Sequence, residues 1–251
     1  MKQYNPLKIL TYNIHKGFNF SNSRFILHQI KELLLHINPD IVFLQEIYGK
    51  HEKHEYAITN WPKESQFEFL AKAVWPHFAY GKNAIYKSGH HGNAILSKYP
   101  FLFWENIDVS IQKRASRSLL HGVISVPGSD NLFHVICVHL GLLRFERDRQ
   151  VQTLCERIRG HIPTNEPLII AGDFNDWRGH IDDQLEQSLG LEEVFKALRG
   201  SYARSFPAWQ PTLAVDRIYY RGVSPELCKC FNRHPWRNLS DHLPLYAEFS
   251  I

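Results

Sequence analysis

Short apolar runs rich in β-branched residues recur along this chain: LKILTYN (7–13), DIVFLQE (40–46), NAILSKY (93–99), FHVICVHL (133–140), PLIIAGDFN (167–175), AVDRIYY (214–220) and HLPLYAEF (242–249). Runs of this length, bounded by polar residues, read as strands. Helical patterns are fewer. Residues 24–36 place Phe25, Ile26, Ile30, Leu33 and Leu34 on one face, and Asn38-Pro39 stops them. Residues 144–160 read as a second helix ending on a C-cap-like Gly160, and 65–74 as a third starting from Ser65. Strands outnumber helices, and many follow one another with no helix between them. Because parallel strands need a crossover, this favours mixed or antiparallel sheets with helices outside, an α/β sandwich rather than a doubly wound parallel sheet.

The 251 residues hold no repeat, low-complexity tract or linker, so one domain over 1–251 is expected. With 44% hydrophobic and 13% aromatic residues the chain has material for a real core, which excludes a disordered segment. A net charge of +4 suits an anionic substrate without requiring one. Four cysteines show no disulfide framework, and Cys228-x-Cys230 has too few partners for zinc. No stretch reaches the roughly 18 apolar residues of a membrane span, and MKQYNP runs directly into the first strand, leaving no room for a signal peptide. A cytoplasmic monomer without membrane insertion is the expectation.

The candidate chemistry lies where these runs end. The first stops on Asn13, the second on Glu46, the fourth at His139, and the fifth carries Asp173 and Asn175. Similarly disposed strand ends of one core can meet on one rim. Asp173 and Asn175 are two apart, and an extended backbone would point both the same way. Asp216 sits amid apolar neighbours, and Ser240-Asp241-His242 precedes the last run. Singly, each has a plainer reading. Asp173 after a glycine can be a turn former, Glu46 an exposed residue past a strand, His139 a structural histidine, and Asp216 a partner of Arg217.

The ordered set resembles the endonuclease/exonuclease/phosphatase superfamily of deoxyribonucleases, abasic-site endonucleases, neutral sphingomyelinases and inositol-polyphosphate 5-phosphatases. The matching motifs are TYNI (11–14), LQE (44–46), GNAILSKYP (92–100), VHL (138–140), GDFND (172–176), DRIYY (216–220) and SDHLPL (240–245). In look the chain is nearest a bacterial single-domain, deoxyribonuclease-like branch. The resemblance implies a four-layer sandwich of two mixed, mostly antiparallel sheets flanked by helices. It implies a phosphoesterase, most of all a phosphodiesterase or nuclease. It assigns Glu46, Asn13 and Asp241 to a metal, and Asp173 and Asn175 to the attacking water and the phosphate. His242, held by Asp216, contacts phosphate or moves a proton, and His139 is a second catalytic histidine.

Elementary chemistry agrees. Phosphoryl transfer needs charge neutralised on non-bridging oxygens and a water in line. Carboxylate and amide oxygens are hard ligands suited to Mg²⁺ or Mn²⁺. One departure weakens the abasic-site reading: His15 stands where those endonucleases carry an acidic residue. Arg117 is a candidate phosphate contact, with a solvated strand-edge arginine as its alternative. Trp177, Trp209 and Trp236 either line the mouth of the site, with Trp177 touching substrate, or pack in the core. Residues 48–92 are rich in histidine and aromatics without convincing ligand spacing, apart from adjacent His90-His91, so packing is favoured over zinc. The substrate is a phosphate ester, nucleic acid among the candidates. A phospholipid or inositol-phosphate ester is the alternative, although no hydrophobic hairpin is apparent, and a non-catalytic phosphate-binding protein is a third.

Overall fold

Strands buried on both faces need continuous apolar runs, and two stacked sheets with helices outside supply such burial. The computed structural model describes residues 6–72, 74–112, 116–129 and 131–251. The N-terminal residues 1–5, read above as leading straight into the first strand, lie outside that set, as does residue 73 of the third expected helix.

In chain order the strands are β1 (Leu7–Asn13), β2 (Ile41–His51), β3 (His77–Tyr86), β4 (Gly89–Ser97), β5 (Phe101–Asp108), β6 (Ser118–Ser125), β7 (Leu132–His139), β8 (Leu168–Asp173), β9 (Glu192–Glu193), β10 (Asp216–Arg221), β11 (Ser224–Cys230) and β12 (Leu245–Ser250). The helices are α1 (Leu27–Ile37), α2 (Glu52–Ala57), α3 (Gln66–Ala71), α4 (Arg144–His161), α5 (Asp182–Leu189) and α6 (Val194–Arg199). One six-stranded sheet runs β11-β12-β1-β2-β4-β3 and the other β5-β6-β7-β8-β10-β9. Each contains one parallel pair, β1 with β2 and β7 with β8, and is otherwise antiparallel.

Alternation along each strand sorts its residues between two cores. Ile9, Ile41 and Phe43 of the first sheet meet Val135, Cys137 and Ile169 of the second. On the outer faces, Leu10, Val42 and Leu44 pack with α1 residues Leu27, Ile30 and Leu34. Ile136, Val138 and Ile170 pack likewise with α4 residues Val151, Leu154 and Ile158. The result is the expected four-layer sandwich.

Local signals set only some helix boundaries: α1 begins at Leu27, past Phe25 and Ile26, and α3 ends at Ala71. Ser65 caps α3 through a reciprocal pairing of its hydroxyl with Glu68. α1 ends on Asn38 in the left-handed region. α4, however, runs through Gly160 to His161, so Gly160 is not its cap. The aromatic and histidine region packs on itself: the rings of His51 and His54 stack at 3.7 Å, and Trp61 lies 5.2 Å from His54. All four cysteines are free thiols. Among the described residues no helix is long and apolar enough to cross a membrane.

Candidate active site

Parallel neighbours finish at the same level at their carboxyl ends, and an antiparallel neighbour brings its amino end to that level. Both sheets use this rule. Asn13 closes β1, Glu46 lies in β2, and Asp241 and His242 precede β12 beside them. In the other sheet His139 closes β7, Asp173 closes β8 and Asp216 opens β10, with Asp173 in register with both. Apart from Asn13 and Asp216, which are buried behind it, the two sets face one cleft of about 270 Å³. Glu46, Arg117, His139, Asn175, Asp241 and His242 line it, together with Asp173 and Trp177.

Asp173 is the hub. Its Oδ2 accepts a hydrogen bond from Asn13 Nδ2 at 3.2 Å, a bond that crosses between the sheets. His139 Nε2 lies 3.5 Å and His242 Nε2 3.8 Å from the same oxygen. Burial pushes the Asp173 carboxyl up, against the pull of His242. Gly172 before it is required: its φ is +150°, and a Cβ there would lie 2.0 Å from the Val138 carbonyl oxygen. Asn175 reaches the rim by a different route from the one expected. The strand ends at Asp173, and Asn175 adopts φ 52°, its N–H donating to Asp173 Oδ1 at 3.0 Å. Its side-chain amide donates to the Leu140 carbonyl at 3.0 Å. The two side chains converge through an Asx-type turn rather than through strand alternation.

His242 and Asp216 meet as expected, Nδ1 to Oδ2 at 2.8 Å. Burial opposes the imidazolium, but Asp216 and Asp173 outweigh it and push His242 up to about 10. Arg217 does not pair with Asp216. As the next residue along the strand it points to the opposite face, where it meets Asp182 at 3.0 Å.

Glu46 owes its position to a β-bulge. The pairing of β2 with β4 shifts between Leu44 and Ile47, and Glu46 takes φ 53°. A left-handed non-glycine costs about 1–3 kcal/mol and is tolerated where the surroundings impose it. Burial would raise its carboxyl, but the ammonium of Lys16, 2.6 Å away, and the His242 imidazolium hold it well below the usual carboxylate range. Burial in turn holds His139 well below the ordinary imidazole value, with Arg117 adding to the effect.

Lys16, Ser205 and Phe206 are contributors that the sequence reading did not single out. His15 and Lys16 have φ of 46° and 60°, and this left-handed turn aims Lys16 at Glu46 and His15 at Asp241, 3.8 Å away. Ser205 donates its hydroxyl to Asp216 Oδ2 at 2.5 Å. Phe206 packs on the His242 ring, centroids 5.0 Å apart. The chain 205–206 lies in no apolar run, so only the proximity of Lys16 to Asn13 offered a signal. Arg117 does line the cleft, its Nε donating to the Leu140 carbonyl at 3.1 Å. The tryptophans divide. Trp177 and Trp209 are 44% and 56% exposed, and Trp177 lines the cleft. Trp236 is a core residue packed edge-on against Tyr12 at 5.6 Å, the second of the two places open to it.

Comparisons with known proteins match this architecture. The sequence model described as the Endonuclease/Exonuclease/phosphatase family covers residues 10–242. The Uncharacterized protein YbhP of Escherichia coli (strain K12) is 45% identical over 244 residues, covering 97% of this chain and 96% of that protein. The crystal structure of an endonuclease/exonuclease/phosphatase from Beutenbergia cavernae superposes with a TM-score of 0.81 at 17% identity, over 99% of this chain and 72% of that one. D. rerio TDP2, solved with a single-strand DNA product, gives 0.73 at 20% identity, over 98% and 99% of the two chains.

Proposed function

Because the chain belongs to the endonuclease/exonuclease/phosphatase family, we propose that it is a divalent-metal-dependent phosphodiesterase acting by in-line attack of water. The observation that carries this reading is the hub at Asp173, with Asn13, His139 and His242 around one carboxylate oxygen and Glu46 and Asp241 lining the same cleft.

The donor set fits Mg²⁺ or Mn²⁺. Glu46 and Asp241 offer carboxylate oxygens, and among the described residues Asn13 Oδ1 accepts one bond, from the His15 N–H at 3.1 Å, leaving a lone pair. A second grouping, Asp173, Asp216 and His242, has ligand atoms within 4.8 Å of one another. There, however, His242 and Ser205 already occupy Asp216 Oδ2, which suits a proton relay better than a metal cage. A bound cation would supply positive charge to the phosphate and the leaving oxygen. Asp173 and Asn175 orient the water, and Asp173 accepts its proton as the new P–O bond forms. The ester P–O bond breaks, and the departing oxygen takes a proton from solvent. His242, kept cationic by Asp216, donates a hydrogen bond to a phosphate oxygen, and so does Arg117 from the cleft wall. His139, buried and neutral, fills the remaining side of Asp173.

A nucleotide polymer is one source of the diester, as in the DNA product bound to D. rerio TDP2. Trp177 at the cleft would stack on a base. Four free thiols suit a cytoplasmic setting. The test uses bis-p-nitrophenyl phosphate and plasmid DNA. Turnover is expected to vanish in EDTA, return with Mg²⁺ or Mn²⁺, and be lost in Glu46→Gln with an unchanged circular dichroism spectrum. Full activity in EDTA, or in that folded variant, overturns the metal assignment.

A further inference from the structure

The turn after β1 spends strained backbone to bring one lysine to one carboxylate. His15, Lys16 and Gly17 take φ of 46°, 60° and 80°, and Glu46 on β2 takes 53°. Left-handed residues other than glycine are uncommon, and they persist where the surroundings impose them. Here they set Lys16 Nζ 2.6 Å from Glu46 Oε2.

The turn is locked from behind by Gln66, the buried first residue of α3. Its Nε2 donates to the Lys16 carbonyl at 2.8 Å, and its Oε1 accepts the Tyr48 N–H at 2.9 Å. One amide thus ties the lysine turn to β2 just past Glu46. Gly17 makes room for it, since a Cβ there would lie 2.9 Å from Gln66 Nε2. The Gly17 N–H donates to the Ile14 carbonyl at 2.9 Å, and the Ile26 N–H to the Gly17 carbonyl at 2.8 Å.

Fold stability does not account for this construction. The Lys16 and Glu46 side chains are 29% and 21% exposed, and a partly exposed ion pair adds less than left-handed residues cost. Its effect falls on the site. With Oε2 held by the ammonium, Glu46 has Oε1 left to offer a cation. Two-metal phosphoryl transfer sets its ions about 3.5–4 Å apart, so neighbouring carboxylate oxygens must be open to both. On the other sheet's side of the cleft, His242, kept charged by Asp216, faces Asp173 Oδ2 at 3.8 Å. A second divalent ion would have to displace one of these two fixed cations. An ammonium on the same carboxylate also repels the ion that does bind.

We propose that Lys16 is a tethered counter-ion of Glu46 that confines this carboxylate to ligation through one oxygen, limits the site to a single divalent ion, and loosens the hold on that ion. The inference rests on the reading of Glu46 as a metal ligand.

Mn²⁺ uptake, followed by loss of the free ion's paramagnetic resonance signal, tests this without any turnover. Wild type should take up one Mn²⁺ per chain, and Glu46→Gln should lose it. Lys16→Met keeps the reach of the side chain but not its charge. It should bind Mn²⁺ about tenfold more tightly, water screening the rest of the repulsion. Lys16→Arg, which keeps the charge, should match wild type. Circular dichroism checks each fold, and Lys16→Gln repeats the comparison should Lys16→Met not fold. Two ions per wild-type chain, or a folded neutral variant that binds Mn²⁺ no more tightly than wild type, overturns the inference. If Glu46→Gln has still lost the ion, the metal reading stands without it. Absence of uptake by wild type, or uptake unchanged in Glu46→Gln, overturns the metal reading and the role of Lys16 together.

Discussion

His242 is almost completely shielded from water, yet Asp216 on one ring nitrogen and Asp173 facing the other keep it charged. Asp216 is in turn fixed by the Ser205 hydroxyl and by its own N–H donating to Ser205 Oγ at 3.3 Å. The pair therefore acts as one unit. Asp216→Asn and His242→Ala should each lower turnover by about 10²–10⁴, and the double variant should be little worse than either, because the second change removes a function already lost. Steady-state rates on one diester check this, and multiplicative losses would mean that the residues act separately. His242 and Asp216 were legible because each sits in a motif of recognisable order. Ser205 and Lys16 were not: one acts through a contact between loop and strand, the other through a left-handed turn that residue type does not announce. Trp236 stayed open between mouth and core, since adjacency to SDH in sequence says nothing about which way a ring points.

Among the elements, strands β1, β7 and β8 coincide almost residue for residue with their apolar runs, since strands buried on both faces leave an unbroken signal. β3, β5, β6, β9 and β11 escaped notice. β3, β5, β9 and β11 lie at sheet edges, where exposed residues interrupt the pattern. β6 is buried, but its run is broken by His121. That histidine is not idle. Its Nε2 meets Nδ1 of His134 on β7 at 2.9 Å, and His134 Nε2 meets Glu166 at 2.5 Å. Glu105 faces the other His121 nitrogen but is itself neutralised by Arg157. Burial, reinforced by His134, lowers His121 to about 4. A depressed folded value means that the unfolded chain takes up the proton first as pH falls. The stabilisation is whole above pH 6.5 and lost as pH drops through 4, and amounts to about 3 kcal/mol at most. His121→Gln should flatten the pH dependence of the urea midpoint across that window. An unchanged slope would show that another group carries the acid sensitivity.

For the whole molecule the decisive feature is that neither sheet holds a complete site. Asn13, Glu46, Asp241 and His242 belong to one and His139, Asp173 and Asp216 to the other, and the Asn13–Asp173 bond spans the seam. Anything that fits the cleft must therefore grip both halves and act as a clasp across the sandwich. A clasp is visible in heat resistance even when nothing is turned over. A ligand present at a hundred times its Kd adds about 2.7 kcal/mol, which for a domain of this size is roughly 5–10 °C in melting temperature. Melting the protein in EDTA against a panel of mononucleotides, glycerophosphodiesters and inositol phosphates should single out one class, and Asn13→Ala should blunt that shift. A uniform rise across every anion would mean that the seam senses charge alone. The way this chain divides its chemistry thus makes its own unfolding an assay, through which an unknown substrate can be recognised before any bond is broken.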